Sequence, residues 1–166
     1  MMPTGVRAAG LFVDASDDQI AQTTRRVPLD LLQLHGDETP RRAAEIRARF
    51  GIPVMKAIRV ATAEDLAVLP AYEAVADWIL FDAKVPKSVS ALPGGTGMAF
   101  DWQLLKGVGV GKPWMLSGGL TAENVAEAVA VTGAKMVDVS SGVEERPGVK
   151  CIARIEAFLA AARNAG

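Results

Sequence analysis

Residues 113–144, PWMLSGGLTAENVAEAVAVTGAKMVDVSSGVE, constrain the fold more than any other stretch. They read as two strand-and-turn units flanking a helix. An apolar strand, Trp114-Met115-Leu116, breaks at Ser117-Gly118-Gly119. A helix follows, with Thr121 as its N-cap and Val125, Ala128, Val129 and Val131 as its apolar stripe. A second strand, Met136-Val137-Asp138-Val139, breaks at Ser140-Ser141-Gly142. Small glycine-bearing turns at the carboxyl ends of successive parallel strands form a cup lined with backbone N–H groups, which suits an anion. In an eight-stranded α/β barrel the loops after the last two strands are the usual phosphate site. Ordinary βα loops also contain glycine, so the weight rests on the tandem arrangement.

The rest of the chain repeats the same alternation. A strand at 6–14 leads to a helix capped by Ser16, with Asp17 and Asp18 in its first turn. A strand at 29–34 closes at His35-Gly36, and a helix with Thr39 as cap and Pro40 at its first position is stopped by Gly51. A strand at 54–60 precedes a helix at 62–76, and a strand at 78–81 ends at Asp82. An irregular Gly- and Pro-rich loop at 83–99 leads to a fourth helix opened by Phe100-Asp101-Trp102, and the last helix covers 150–162. This makes six strand–helix units of about 25 residues each, in one domain, 1–166. Apolar strands alternating with amphipathic helices mean a parallel sheet covered by helices. No GxGxxG follows the first strand, which disfavours an open dinucleotide-binding sheet. A complete barrel needs eight units and usually about 200 or more residues. Two units are therefore missing from the expected count.

Composition narrows the function classes. Eighteen Lys and Arg against 19 Asp and Glu give no reason to expect nucleic acid or an anionic membrane as partner. No apolar run approaches the roughly 20 residues that cross a bilayer. Residues 1–15 lack the pattern of a signal peptide, and one cysteine fits a reducing cytoplasm. One histidine leaves no His-rich metal site within the chain.

Several strings occur in a specific order: GLFVD at 10–14, QLHG at 33–36, Phe81-Asp82, GGTG at 94–97, FDW at 100–102, LSGGL at 116–120 and VDVSSGVE at 137–144. Together they resemble the phosphoribosylanthranilate isomerases of tryptophan biosynthesis over essentially all 166 residues. The resemblance implies a TIM-type (β/α)8 barrel, here an N-terminally truncated version with about six βα units. It implies a cofactor-free, metal-free Amadori rearrangement of a phosphorylated small-molecule substrate. That family's chain begins with a strand carrying Lys-Ile-Cys-Gly, whose cysteine is the general base, and neither it nor the second unit has a counterpart here.

By the same resemblance Asp82 is the general acid, Gln33 and His35 line the substrate pocket, and Asp138 contacts the sugar hydroxyls. The phosphate falls to Gly118, Gly119, Ser140, Ser141 and Gly142. The residues alone leave alternatives open. A carboxyl at a strand end screened from water can have its pKa raised enough to donate a proton, yet it also serves as a loop cap. A lone histidine is more often a packed or capping group than a functional one. Lys56 and Arg59 on the third strand are further candidates, and GGTG reads as a lid segment or a surface connection. Cys151 at the start of the last helix reads as a structural thiol. Three readings follow: an enzyme whose true start lies upstream of Met1-Met2, a short chain that binds a phosphorylated ligand without turnover, or another phosphate-binding barrel enzyme. A short chain would leave strand edges unpaired, which invites self-association.

Overall fold

The computed structural model describes residues 3–83 and 101–165. Five strands make one sheet in the order β1-β2-β3-β4-β5: β1 is Ala9–Phe12, β2 Leu31–Leu34, β3 Val54–Val60, β4 Trp78–Ala83 and β5 Trp114–Ser117. Contacts divide the chain into two compact units. One comprises Met1–Ile58, Ala67–Leu80 and Gly111–Pro113; the other Arg59–Leu66, Phe81–Val110 and Trp114–Gly166.

In the first unit, β1 and β2 pair in parallel from Ala9↔Leu31 to Phe12↔Leu34, and β2 pairs with β3 from Leu32↔Val54 to Leu34↔Lys56. Helix α1, Asp17–Arg26, starts at a reciprocal cap. Gln19 N donates to Ser16 Oγ at 3.3 Å while Ser16 N donates to Gln19 Oε1 at 2.8 Å. Such a cap contributes about 1 kcal/mol. Helix α2, Pro40–Phe50, is capped by Thr39, whose Oγ1 accepts from Arg42 N, and ends at Gly51 in the left-handed region. Ile20, Leu32, Leu34, Ala43, Ile46 and Val54 are fully buried, so the 3.6-residue stripe of each helix meets the strands. At the start of β3, Asp77 accepts two bonds from Arg47 of α2 and one from Val54 N. The Arg47 hydrogen bond, first among the causes, holds its carboxyl below the ordinary range.

Three expectations need correction in or beside this unit. β1 is shorter than 6–14 and lies at the edge of the sheet, with its Leu11 58% exposed and Val13, just beyond it, 59% exposed. The helix expected at 62–76 is a 3-10 segment, Ala63–Val68, followed by a short helix α3, Leu69–Glu73. Pro70 lacks the N–H that would continue the ladder and instead sits in the first turn of α3. β4 continues through Ala83, so Asp82 lies within the strand rather than after it.

In the second unit Phe81 meets Trp114 edge to face, with centroids 5.4 Å apart. Helix α4, Val125–Thr132, buries Val125, Ala128 and Thr132. Asn124 stands at the cap position of α4 without a side-chain cap bond. Thr121 caps the turn leading into it, its Oγ1 accepting from Glu123 N and its carbonyl from Val125 N as Asn124 Oδ1 accepts from Thr121 N. The strand expected at 136–139 reduces to one parallel bridge, Leu116↔Val137, held by Leu116 N to Met136 O and Asp138 N to Leu116 O. The fourth helix is a single 3-10 turn, Trp102–Leu105, started by Asp101 and closed before Gly107 at φ 73°. An unforeseen hairpin of β6, Glu144–Arg146, and β7, Val149–Lys150, precedes the last helix, α5, Ile152–Arg163. Phe100 and the GGTG segment lie outside the described residues.

Candidate active site

Gln33 and His35 belong to the first unit; Asp82, Asp138 and both glycine turns belong to the second. Gln33, in β2, is buried, and His35, two residues on, is half-buried. Residues two apart along a strand share a face, and Gln33 Nε2 lies 3.0 Å from His35 Nδ1. With the Gln33 amide nitrogen facing the ring, this contact suits the tautomer in which Nδ1 accepts.

Below this pair lies a buried ion pair that the sequence reading did not assemble. Glu38 and Lys56 are 4% and 2% exposed, with Lys56 Nζ donating to Glu38 Oε2 at 2.8 Å. The same ammonium donates to Gly36 O at 2.6 Å and Leu34 O at 3.3 Å. Glu38 also accepts from Gly36 N at 3.0 Å and Asp14 N at 2.8 Å, and Tyr72 OH donates to its carbonyl at 2.9 Å. Burial pushes the Glu38 carboxyl up, but the Lys56 hydrogen bond, the Asp14 amide and the Lys56 charge together bring it below its ordinary range. Tyr72 is pushed up, first by burial and then by the charges of Glu38 and Asp37. Lys56 is thus turned onto the loop after β2, while Arg59 is exposed. Gly36 is required by space: a Cβ there would stand 2.5 Å from Asp14 Oδ1.

In the second unit, Asp82 is the half-buried penultimate residue of β4, on the strand face it shares with Leu80. Ser117, buried at the end of β5, donates from Oγ to Asp138 Oδ2 at 2.8 Å. A carboxylate has room for further donors beyond this one. Gly118 and Gly119 follow with φ of 89° and 66°. Asn124 closes this turn, its Nδ2 donating to Gly119 O and its Oδ1 accepting from Thr121 N. The second turn, with Ser140 exposed before the 3-10 segment Ser141–Val143, packs directly on the first. A Cβ at Gly142 would fall 1.9 Å from Leu120 O, so only glycine permits this approach. Lys150 Nζ donates to Ser140 O, Ser140 Oγ and Glu144 Oε1 at 2.9, 3.1 and 2.8 Å, which sets a cation against the turn. Cys151 occupies the cap position of α5, half-buried and without a side-chain cap bond. Among the described residues no three His, Cys, Asp or Glu side chains are grouped to hold a metal ion.

The bonds of Ser117 to Asp138, Lys150 to Ser140 and Glu38 to Lys56 were not assembled from the sequence, although Lys56 was named as a candidate. The signal for the pair was a lysine within β3, a strand otherwise apolar except for the exposed Arg59.

Parallel strands alternating with helices, with turns of this kind at their carboxyl ends, define a protein of the TIM-type β/α-barrel class. The chain belongs to the N-(5′-phosphoribosyl)anthranilate isomerase family, whose model matches residues 1–161. A relative of that name from Rhodospirillum centenum is 59% identical over 97% of this chain and 75% of its own length. One from Parvibaculum lavamentivorans is 54% identical over 99% of this chain and 77% of its own. The phosphoribosylanthranilate isomerase structure from Thermotoga maritima superposes with a TM-score of 0.84 at 35% identity, covering 98% of this chain and 76% of that one. A structure of the isomerase bound to reduced 1-(o-carboxyphenylamino)-1-deoxyribulose 5-phosphate aligns with a TM-score of 0.77 at 31% identity, covering 98% and 74%.

Proposed function

We propose that these residues perform the phosphoribosylanthranilate isomerase reaction of tryptophan biosynthesis, converting N-(5′-phosphoribosyl)anthranilate to 1-(2-carboxyphenylamino)-1-deoxyribulose 5-phosphate. The observation that carries the reading is the pair of glycine turns packed together through Gly142 and Leu120, with the Ser117–Asp138 bond at their base. In this reading the phosphate lies against Gly118, Gly119, Ser140, Ser141 and Gly142, and Lys150 adds positive charge beside Ser140. Asp138 receives sugar hydroxyls on its remaining lone pairs, and Gln33 with His35 contacts the substrate.

Asp82 donates a proton to the furanose ring oxygen. The C1′–O bond breaks, leaving a protonated imine between C1′ and the aromatic nitrogen. Loss of the C2′ proton to a base gives an enamine, and its enol tautomerises to the C2′ ketone. Atoms and electrons balance within the substrate, so no external oxidant or reductant is required. The base in the family sits in the Lys-Ile-Cys-Gly motif. Cys151 is not a substitute in this reading, because it stands at a helix cap after the hairpin.

The remaining parts of the reading concern surroundings. The open side of β1, with Leu11 and Val13 exposed, supports self-association along that edge. A net charge of −1 supports a small-molecule rather than a nucleic-acid partner. Among the described residues no helix is long and apolar enough to cross a membrane, and a biosynthetic role with a single thiol fits the cytoplasm.

The test is a calorimetric titration with the carboxyphenylamino-deoxyribulose phosphate, combined with chromatographic measurement of turnover. Saturable binding competed by inorganic phosphate is expected. In a version extended by the family's Lys-Ile-Cys-Gly strand, Asp82→Asn should lower kcat by roughly 10²–10⁴-fold with product affinity retained. Absence of binding would refute the reading, and an unchanged kcat would move the acid elsewhere.

A further inference from the structure

We infer that the buried Glu38–Lys56 pair is a positioning device for His35, fixing the backbone on both sides of the ring and so its hydrogen bond to Gln33. The proposal rests on the reading that Gln33 and His35 meet the substrate.

The first argument is energetic. Desolvating two ions cancels much of what their attraction returns, and apolar residues of similar volume often serve stability as well. Lys56 is flanked by Met55 and Ala57 in a strand whose other buried members are apolar, so an apolar side chain would fit the pattern. The pair therefore matters for what it holds.

The second argument is geometric. Of the peptide groups around His35, Lys56 holds the carbonyls of Leu34 and Gly36, Glu38 holds the Gly36 amide, and Phe12 O holds the amide of His35 itself. Glu38 Oε1 then ties the assembly to Asp14, which sits at φ 48° just beyond β1 and accepts from Asp37 N at 2.7 Å. Tyr72 closes it from α3 through its hydroxyl, with its ring 5.7 Å from Lys56 Nζ. A residue anchored at the peptide before it, at its own amide and at the peptide after it has little freedom to reorient. Its ring is then presented in one pose, with Nδ1 toward Gln33. Supporting contacts of this kind set how well a side chain is pre-organised for its ligand.

The chain contains one histidine, so its imidazole ¹⁵N spectrum is unambiguous. The native protein should show a single neutral tautomer with Nδ1 unprotonated. The double variant Glu38→Gln/Lys56→Met leaves no orphan charge; its ring should show averaged tautomers, with affinity for the carboxyphenylamino-deoxyribulose phosphate weakened roughly tenfold. Asp77→Asn, which disturbs the Arg47–Val54 contact in the same unit, should change neither readout. A double variant that keeps the native tautomer and affinity would overturn the proposal and leave the pair a stability element. Should that variant not fold, Lys56→Arg carries the test: its guanidinium retains the charge but cannot bring one nitrogen to both carbonyls and Glu38. An unchanged ring spectrum there overturns the proposal equally. If the native protein does not bind the probe, the functional reading falls, while the tautomer comparison still decides this one.

Discussion

The two strand-end regions are built by opposite means. After β2, the chain is held by side chains, a carboxylate and an ammonium buried together and bonded to four peptide groups. After β5, it is held by the near absence of side chains, with two turns so close that a methyl group at Gly142 has no room. The difference follows from what each must present. A ring such as His35 needs its direction fixed, and directed bonds do that. A turn that receives an anion needs exposed backbone, and any side chain would cover it.

Breaking the first region should have the largest effect. Lys56→Met leaves the Glu38 carboxylate buried without its cation, and a loss of about 3–5 kcal/mol is expected from urea unfolding. A loss under about 1 kcal/mol would mean that water reaches Glu38. Gly142→Ala should come next, at about 1–3 kcal/mol, since the Leu120 carbonyl must move to admit a Cβ. Its penalty should be the same at neutral and mildly acid pH, because no titrating group is lost.

The smallest effect sharpens the contrast. Glu38 has a folded-state pKa below its unfolded value of about 4.3, so its contribution is full above that value and is lost as pH falls through the folded pKa. Unfolding midpoints measured down this range should fall less steeply in Glu38→Gln than in the native protein. Parallel slopes would show that Glu38 does not drive the acid limb.

Much of the frame was legible because local chemistry and tertiary packing agreed. Thr39, Pro40 and Gly51 bound α2 as their propensities direct, and Val54–Val60 stands as read. The errors fall where one residue overrode a pattern. Pro70 sits where the helix expected at 62–76 divides, and Gly107 stopped another after one turn. Pro147-Gly148 was legible as a turn, but the short strands on either side carry charged residues and no alternation. The 136–139 segment had a strand's composition, yet composition does not reveal whether a ladder continues beyond one bridge.

The site divided along similar lines. The proposed site residues Asp82, Gln33, His35 and the glycine turns stood out because polar or small residues at strand ends interrupt apolar runs. The partners Glu38 and Ser117, and the pairing of the candidate Lys56 with Glu38, were hidden, since they depend on which segments fold against one another. Lys56 and Glu38 are 18 residues apart in the chain, and Ser117 and Asp138 are 21 apart. No local pattern spans such distances.

The contact between Gly142 and Leu120 has one more consequence. Turns packed without slack cannot be ordered one at a time, so the entropy of arranging them is lost when the chain folds. On the proposed reading of these turns as an anion site, binding need not supply that ordering itself. Substitutions there would then alter how fast the ligand leaves more than how fast it arrives.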